Sequence, residues 1–185
     1  MITKVLILGI IILLNSCTEK KRDVKTFDDM PNADTRYTTI QLHDFADDTL
    51  FLKTLKANLD EDKFSFTKIE ERSEKWSFNN CVENKVLKLQ GKSIRHYVAK
   101  SIKPLKLRGD NYFPYFTLTV FEFSSYKESK NIFELMTKNL TGRFCNGKSP
   151  FRILMRDNEV YYLGTGAEMF STCLVKYTEL IKRIP

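Results

Sequence analysis

Apolar positions change their period several times along this 185-residue chain. Val5 to Leu14 is one apolar run, broken only by Gly9. Residues 18–37, TEKKRDVKTFDDMPNADTRY, are polar, with charges of both signs. A folded domain is read from Thr38 onward. Leu50, Phe51, Leu55 and Leu59 recur at helical spacing and predict a helix over Asp47–Leu59. LDEDK then makes a turn, and Phe64 and Phe66 alternate with Ser65 and Thr67, predicting a strand over Phe64–Ile69. Between Glu70 and Asn84 no period dominates; the stretch holds the single tryptophan, Trp76, and Asn79-Asn80 reads as a turn. From Ser93 to Ile102 the apolar positions Ile94, Tyr97, Val98 and Ile102 have helical spacing, while β-branched content leaves a strand open. Pro104 ends the element either way.

The second half patterns more clearly. Tyr115–Phe123, YFTLTVFEF, is β-branched and aromatic almost throughout, as expected of a central strand covered on both faces. Ser125-Tyr126-Lys127-Glu128 has the form of a capping box. The helix it opens carries Ile132, Phe133, Met136 and Leu140 on one face, expected as core, and Gly142 stops it. Phe151–Met155 and Val160–Leu163 read as a hairpin around Asp157-Asn158. Thr165 to Glu168 repeats the capping-box form, and a last helix presents Phe170, Cys173, Leu174, Tyr177, Leu180 and Ile181 before ending at Arg183. Helices with one apolar stripe need a sheet face to cover. The expected fold is therefore α+β: a layered sandwich of a mainly antiparallel sheet with helices packed on it, ending in a β-α-β-β-α unit.

The run Val5–Leu14 is too short to cross a bilayer, which takes about 18 or more apolar residues. It has the length of a secretory h-region, with Lys4 before it and small Ser16 after it. Together with Leu14 and Cys17, the stretch resembles a bacterial lipoprotein signal with its lipobox; Asn15 departs from the commoner small or apolar residue. The resemblance implies cleavage before Cys17, acylation of that cysteine with diacylglyceryl and palmitate-type chains, and anchoring in the bacterial cell envelope. Thr18, where an Asp would favour inner-membrane retention, leans the expectation towards the outer membrane. Residues 1–16 are then a signal peptide, 17–37 a lipid anchor with a flexible tether, and 38–185 one α+β domain. The domain resembles small lipidated envelope domains in general, a likeness that carries no mechanism.

With Cys17 lipidated, Cys81, Cys145 and Cys173 remain. An oxidising compartment permits one disulfide, and Cys81–Cys145 is the candidate, because Cys173 lies on a helix's apolar face. Unpaired cysteines acting as small apolar residues are the alternative.

Charge is the most unusual local feature. Lys85, Lys88, Lys92, Arg95, Lys100, Lys103, Lys106 and Arg108 fall within 24 residues that contain no acid. From Cys17 onward the chain has 29 basic and 23 acidic residues, so this one segment exceeds the whole excess. It is a candidate surface for an acidic protein, lipid headgroups or a polyanionic glycan, against the alternative of a solvated face balanced by distant acids. Nucleic acid is not expected for an exported chain without a matching motif, although Tyr97 and Tyr112 are of a type that stacks on bases.

Other chemistry is thin. Leu163-Gly164-Thr165-Gly166-Ala167-Glu168 has the glycines of a phosphate turn but lacks its lysine, and reads as strand exit plus helix cap. His43 and His96 are far apart, and His96, between Arg95 and Tyr97, is expected at the surface. Asp47-Asp48 and Glu70-Glu71 are adjacent pairs whose carboxylates diverge, and Asp60-Glu61-Asp62 lacks a calcium loop's glycine and distal glutamate. No metal or cofactor is expected. The expected function is a non-catalytic, membrane-anchored envelope protein that binds a partner macromolecule, as an immunity or assembly factor. The alternatives are a small-molecule or glycan binder, with Trp76, Tyr112 and Tyr115 as aromatic platforms, and then a hydrolase.

Overall fold

The computed structural model describes residues 36–42, 50–69, 74–80, 85–138 and 149–184. Ten strands and three α-helices follow one another in chain order within them. They are β1 (Arg36–Gln41), α1 (Leu50–Glu61), β2 (Phe64–Lys68), β3 (Lys75–Asn80), β4 (Lys85–Gln90), β5 (Ile94–Ser101), β6 (Leu105–Leu107) and β7 (Asp110–Tyr112). Then come β8 (Tyr115–Glu122), α2 (Tyr126–Thr137), β9 (Phe151–Arg156), β10 (Glu159–Gly164), a single 3-10 turn (Glu168–Phe170) and α3 (Ser171–Arg183). The first strand begins at Arg36, inside the stretch read as tether. The stretch that resembles a lipoprotein signal, Cys81 and Cys145 lie outside the described residues.

The sequence YFTLTVFEF organises the architecture. As β8 it is the middle of a five-stranded antiparallel sheet of order β2-β5-β8-β10-β9. Successive side chains point to opposite faces, and both faces of β8 are covered. Phe116, Leu118 and Val120 enter one core with Phe51, Leu52, Leu55 and Leu59 of α1 and Leu174, Tyr177 and Ile181 of α3. Phe121 and Phe123 enter a second core with Ile132 and Met136 of α2. There they also meet Phe78, Leu87 and Leu89 of a three-stranded sheet, order β1-β4-β3, in which β1 runs parallel to β4. The layers are thus α1 and α3, the five-stranded sheet, then α2 beside the smaller sheet. The expected α+β sandwich and its C-terminal β-α-β-β-α unit are present, with the two C-terminal helices on opposite faces of the sheet.

Some local expectations fail for identifiable reasons. Of the helix and the strand left open for residues 94–101, the strand is the one that forms. Both faces of β5 are buried: Tyr97 and Ala99 enter the first core, Ile94 the second. Two-sided burial erases the period of two and leaves a fortuitous helical spacing. Asn79-Asn80 is no turn but the end of β3, paired to Val86 and Lys85. Leu50 is 76% exposed, and Leu52 takes the core position in α1. Phe133 is only half-buried at the margin of the second core.

The caps divide likewise. Ser125 caps α2 by accepting from the Glu128 amide at 3.3 Å, and the Glu128 carboxylate reaches back to the Ser124 amide at 3.2 Å. The second box does not form: Thr165 Oγ1 donates to the Tyr115 carbonyl at 2.7 Å, and α3 has no side-chain cap. Asp157 turns the β9–β10 hairpin with φ of 51°, a left-handed value that Asp tolerates better than most residues. Leu140 and Gly142 lie outside the described residues.

One polar contact fastens α1 to α3. Asp62, just past α1, accepts from Lys176 Nζ at 2.6 Å and Tyr177 Oη at 2.7 Å. The Lys176 hydrogen bond leads in holding the Asp62 carboxyl below its ordinary 3.8, while partial burial opposes it. A carboxyl depressed in the folded state stabilises the fold fully above its unfolded pKa, and that stability is lost as pH falls through the folded value. Wild type is therefore expected to lose stability below about pH 4 more steeply than Asp62→Asn. Urea midpoints across an acid series check this; parallel curves for the two proteins would refute it.

Candidate interaction surfaces and a buried charge cluster

The structure separates the eight basic residues of Lys85–Arg108 into different environments. β4, β5 and the β6–β7 hairpin take them in turn. Lys92 lies in the turn before β5, and Lys100 lies near the strand's other end, roughly 20 Å along it from Ile94. They do not form one continuous face.

Arg95 leaves the surface set altogether, which corrects its reading as a solvent-facing cation. It is 3% exposed, on the α1–α3 face of β5. Its guanidinium meets Glu159 at 2.6 Å and Glu122 at 3.1 Å. Glu122 of β8 and Glu159 of β10 are register partners, and both are buried. The fork of donors on Arg suits two carboxylates at once. Tyr161 Oη also donates to Glu159; burial first, then the Glu159 charge, pushes this phenol far above its ordinary value. It remains a protonated donor. Arg156 stands opposite Glu159 on β9, with its guanidinium carbon 5.6 Å from the Phe51 ring centre. The cluster is closed over by α1 and makes no surface of its own. It was hidden in the sequence because Glu122 sits inside an apolar run and Arg95 inside a basic one.

Lys85 and Lys88 go to the three-stranded sheet. Its outward row comprises Lys75 and Ser77 of β3, Lys88 and Gln90 of β4, and Thr39 and Gln41 of β1, aligned by register. A shallow groove of about 330 Å³ runs over it, lined by Lys75, Trp76, Ser77, Lys88, Leu89 and Gln90. The lining has two cations, an amide and a hydroxyl, and no carboxylate. Lys88 Nζ stands 4.2 Å over the ring of Tyr37, a cation–π contact that holds the ammonium on this face.

Lys100, Lys103, Lys106 and Arg108 go to the other end of β5 and the β6–β7 hairpin. Leu107 and Asp110 flank a two-residue loop, Arg108-Gly109, with φ of 52° and 91°. Positive φ at both positions gives the tight turn whose twist suits a hairpin. Leu105 pairs with Tyr112, so Leu105, Leu107 and Tyr112 share one face, while Lys106 and Asn111 share the other. Ile102, Leu105, Leu107, Tyr112 and Phe113 all remain exposed.

A narrower crevice of about 190 Å³ opens between α1 and the edge strand β2. Lys53, Lys56 and Lys68 rim it, and Phe66 and Tyr97 stack at 5.1 Å to floor it.

The remaining candidates resolve individually. His96 is 5% exposed, not a surface residue as expected, with Nδ1 3.0 Å from Thr119 Oγ1; a strand covered on both faces leaves no outward position for it. Trp76 is not an open platform, because its ring lies 4.9 Å from Phe121 and 5.3 Å from Tyr162 and packs against the second core. Tyr115 packs on Phe170, and Tyr97 is buried. Tyr112 alone of the proposed aromatics is open to solvent. The 164–168 segment is strand exit and a single 3-10 turn. Asp60 pairs with Lys56 at 2.8 Å, and among the described residues no group of three metal-ligating side chains converges. Cys173 is a free, half-buried thiol whose pKa burial raises. Cys17, His43, Asp47, Asp48, Glu70, Glu71, Cys81 and Cys145 lie outside the described residues. No helix among the described residues is long and apolar enough to cross a membrane. Comparison with known protein families, curated proteins and solved structures gives no match.

Proposed function

We propose that this chain is a lipid-anchored protein of the bacterial cell envelope, at the outer membrane in preference to the inner, that holds an acidic macromolecular partner without catalysis. The lipobox-like Leu14-Asn15-Ser16-Cys17 supplies the anchor. The observation that carries the binding role is the outer face of the three-stranded sheet. There Lys75 and Lys88 flank a groove with Ser77 and Gln90 and no carboxylate. Cations beside neutral hydrogen-bonding groups suit a partner rich in carboxylates, and such charges chiefly steer encounter and choose the partner. An immunity or assembly factor works in this way, by occupying another protein's surface.

The test begins with purification of the full-length chain from native membranes in mild detergent. Mass spectrometry then identifies any protein at near-equal stoichiometry. Lys75→Glu with Lys88→Glu is expected to weaken binding of that partner about tenfold or more and to flatten its salt dependence. Unchanged affinity would overturn the assignment of this face. A second reading, binding of a small anionic molecule or glycan, is favoured by the lysine-rimmed crevice over Phe66 and Tyr97.

A further inference from the structure

The β6–β7 hairpin combines features that the acidic-partner face lacks. Five large apolar side chains are exposed on or beside it: Ile102 at 63%, Phe113 at 42%, and Leu105, Leu107 and Tyr112 just under 40%. Folded chains seldom leave such a cluster bare unless it meets something apolar. Lys100, Lys103, Lys106 and Arg108 are interleaved with it, against one acid, Asp110. Lys103, Lys106 and Arg108 form no ion pair among the described residues. Lys100 leans over the Phe113 ring at 5.9 Å. Arg108 occupies the hairpin tip at a left-handed φ of 52°, which usually goes to Gly or Asn. A cation stands at the apex at some backbone cost.

We propose that this hairpin is an interfacial membrane element: it seats its apolar face at the headgroup–acyl boundary of an anionic phospholipid surface while its basic residues meet the phosphates. The chemistry is complementary in both parts. Apolar and aromatic side chains settle where the headgroups meet the acyl chains, and lysines and arginines near an anionic leaflet are drawn to it. A lipid surface demands no matched shape, which suits an element with strands of only three residues. The inference is independent of the partner face. It takes from the lipid-anchor reading only proximity to a bilayer.

The test uses the full-length chain reconstituted in vesicles of brominated phosphatidylglycerol or brominated phosphatidylcholine. Bromine quenches tryptophan only within the bilayer. Trp76, packed against the second core, serves as the internal reference, with Tyr112→Trp and, separately, Phe113→Trp as hairpin reporters. The added tryptophan is expected to lose about half its emission in phosphatidylglycerol and clearly less in phosphatidylcholine. Lys103→Glu, Lys106→Glu and Arg108→Glu together should abolish that quenching in phosphatidylglycerol. No quenching of either reporter in phosphatidylglycerol overturns the proposal. So does quenching that is equal in the two lipids, or that survives the charge reversal. Co-flotation of the chain with the vesicles is measured in every arm, so failure of the anchor is read separately from failure of the hairpin to insert, and no protein partner is present.

Discussion

Arg95→Ala is expected to cost about 3–5 kcal/mol of folding stability, because it leaves Glu122 and Glu159 buried without their shared cation. Against a typical total of roughly 5–15 kcal/mol, that change puts the chain near its unfolding threshold. Much of the loss is the cost of the abandoned carboxylates, not the worth of the ion pairs. Glu122→Gln with Glu159→Gln added to Arg95→Ala should therefore recover a substantial part of it. Urea unfolding of wild type, Arg95→Ala and the triple variant measures both effects. A loss below about 1 kcal/mol for Arg95→Ala would mean that water reaches these groups and that the cluster is not buried.

Phe121→Ala is expected to cost about 3–5 kcal/mol and to loosen the smaller sheet. Phe121 is wholly buried on the central strand, opposite Ile94 on one neighbour and Val160 on the other. Trp76 of the small sheet rests on it at 4.9 Å. Removing the ring opens a cavity where the two sheets meet, and neither sheet can close it without moving its whole face. Trp76 reports the event, since it is the only tryptophan. Its emission should shift to the red and its near-ultraviolet dichroism should fade. A destabilisation under about 1 kcal/mol with unchanged Trp76 spectra would show that the sheets are joined elsewhere. Phe133, expected as core from its helical position, is only half-buried and would be a much weaker site for the same change.

The two candidate surfaces also differ in how they respond to salt and to membrane. The Lys75–Lys88 face holds cations among neutral polar groups, so its contacts should screen over a Debye length of about 8 Å at physiological ionic strength. The hairpin adds apolar burial, which salt does not weaken. Raising the ionic strength should thus release a partner from the sheet face before it releases the hairpin from a bilayer.

Elements with one buried face were legible from sequence. α2 and α3 bury a single stripe, so their periods survive in the letters, and Ser125 caps α2 as its spacing indicated. The β9–β10 hairpin turns at Asp157 as read. Elements buried on both faces were not all legible. β5 shows helical spacing because its neighbours need apolar side chains above and below it. YFTLTVFEF escaped that confusion through its dense β-branched and aromatic content. Thr165 was misread as a cap because its hydroxyl had a competing partner, the Tyr115 carbonyl, fifty positions away.

Sequence alone determined the class of fold, the order of the C-terminal elements and the local excess of positive charge. These depend on composition and on periods within one segment. Only the tertiary structure decided which charges are surface. Eight basic residues in a row of 24 look alike as letters. Whether each meets water or a buried carboxylate depends on strands distant in sequence. Glu122 and Glu159 reach Arg95 from 27 and 64 positions away. The same pairing that draws Arg95 inside leaves Lys88 on a sheet face and sends Lys103, Lys106 and Arg108 out on a hairpin. Side-chain chemistry is local, but desolvation is set by what the folded chain brings near.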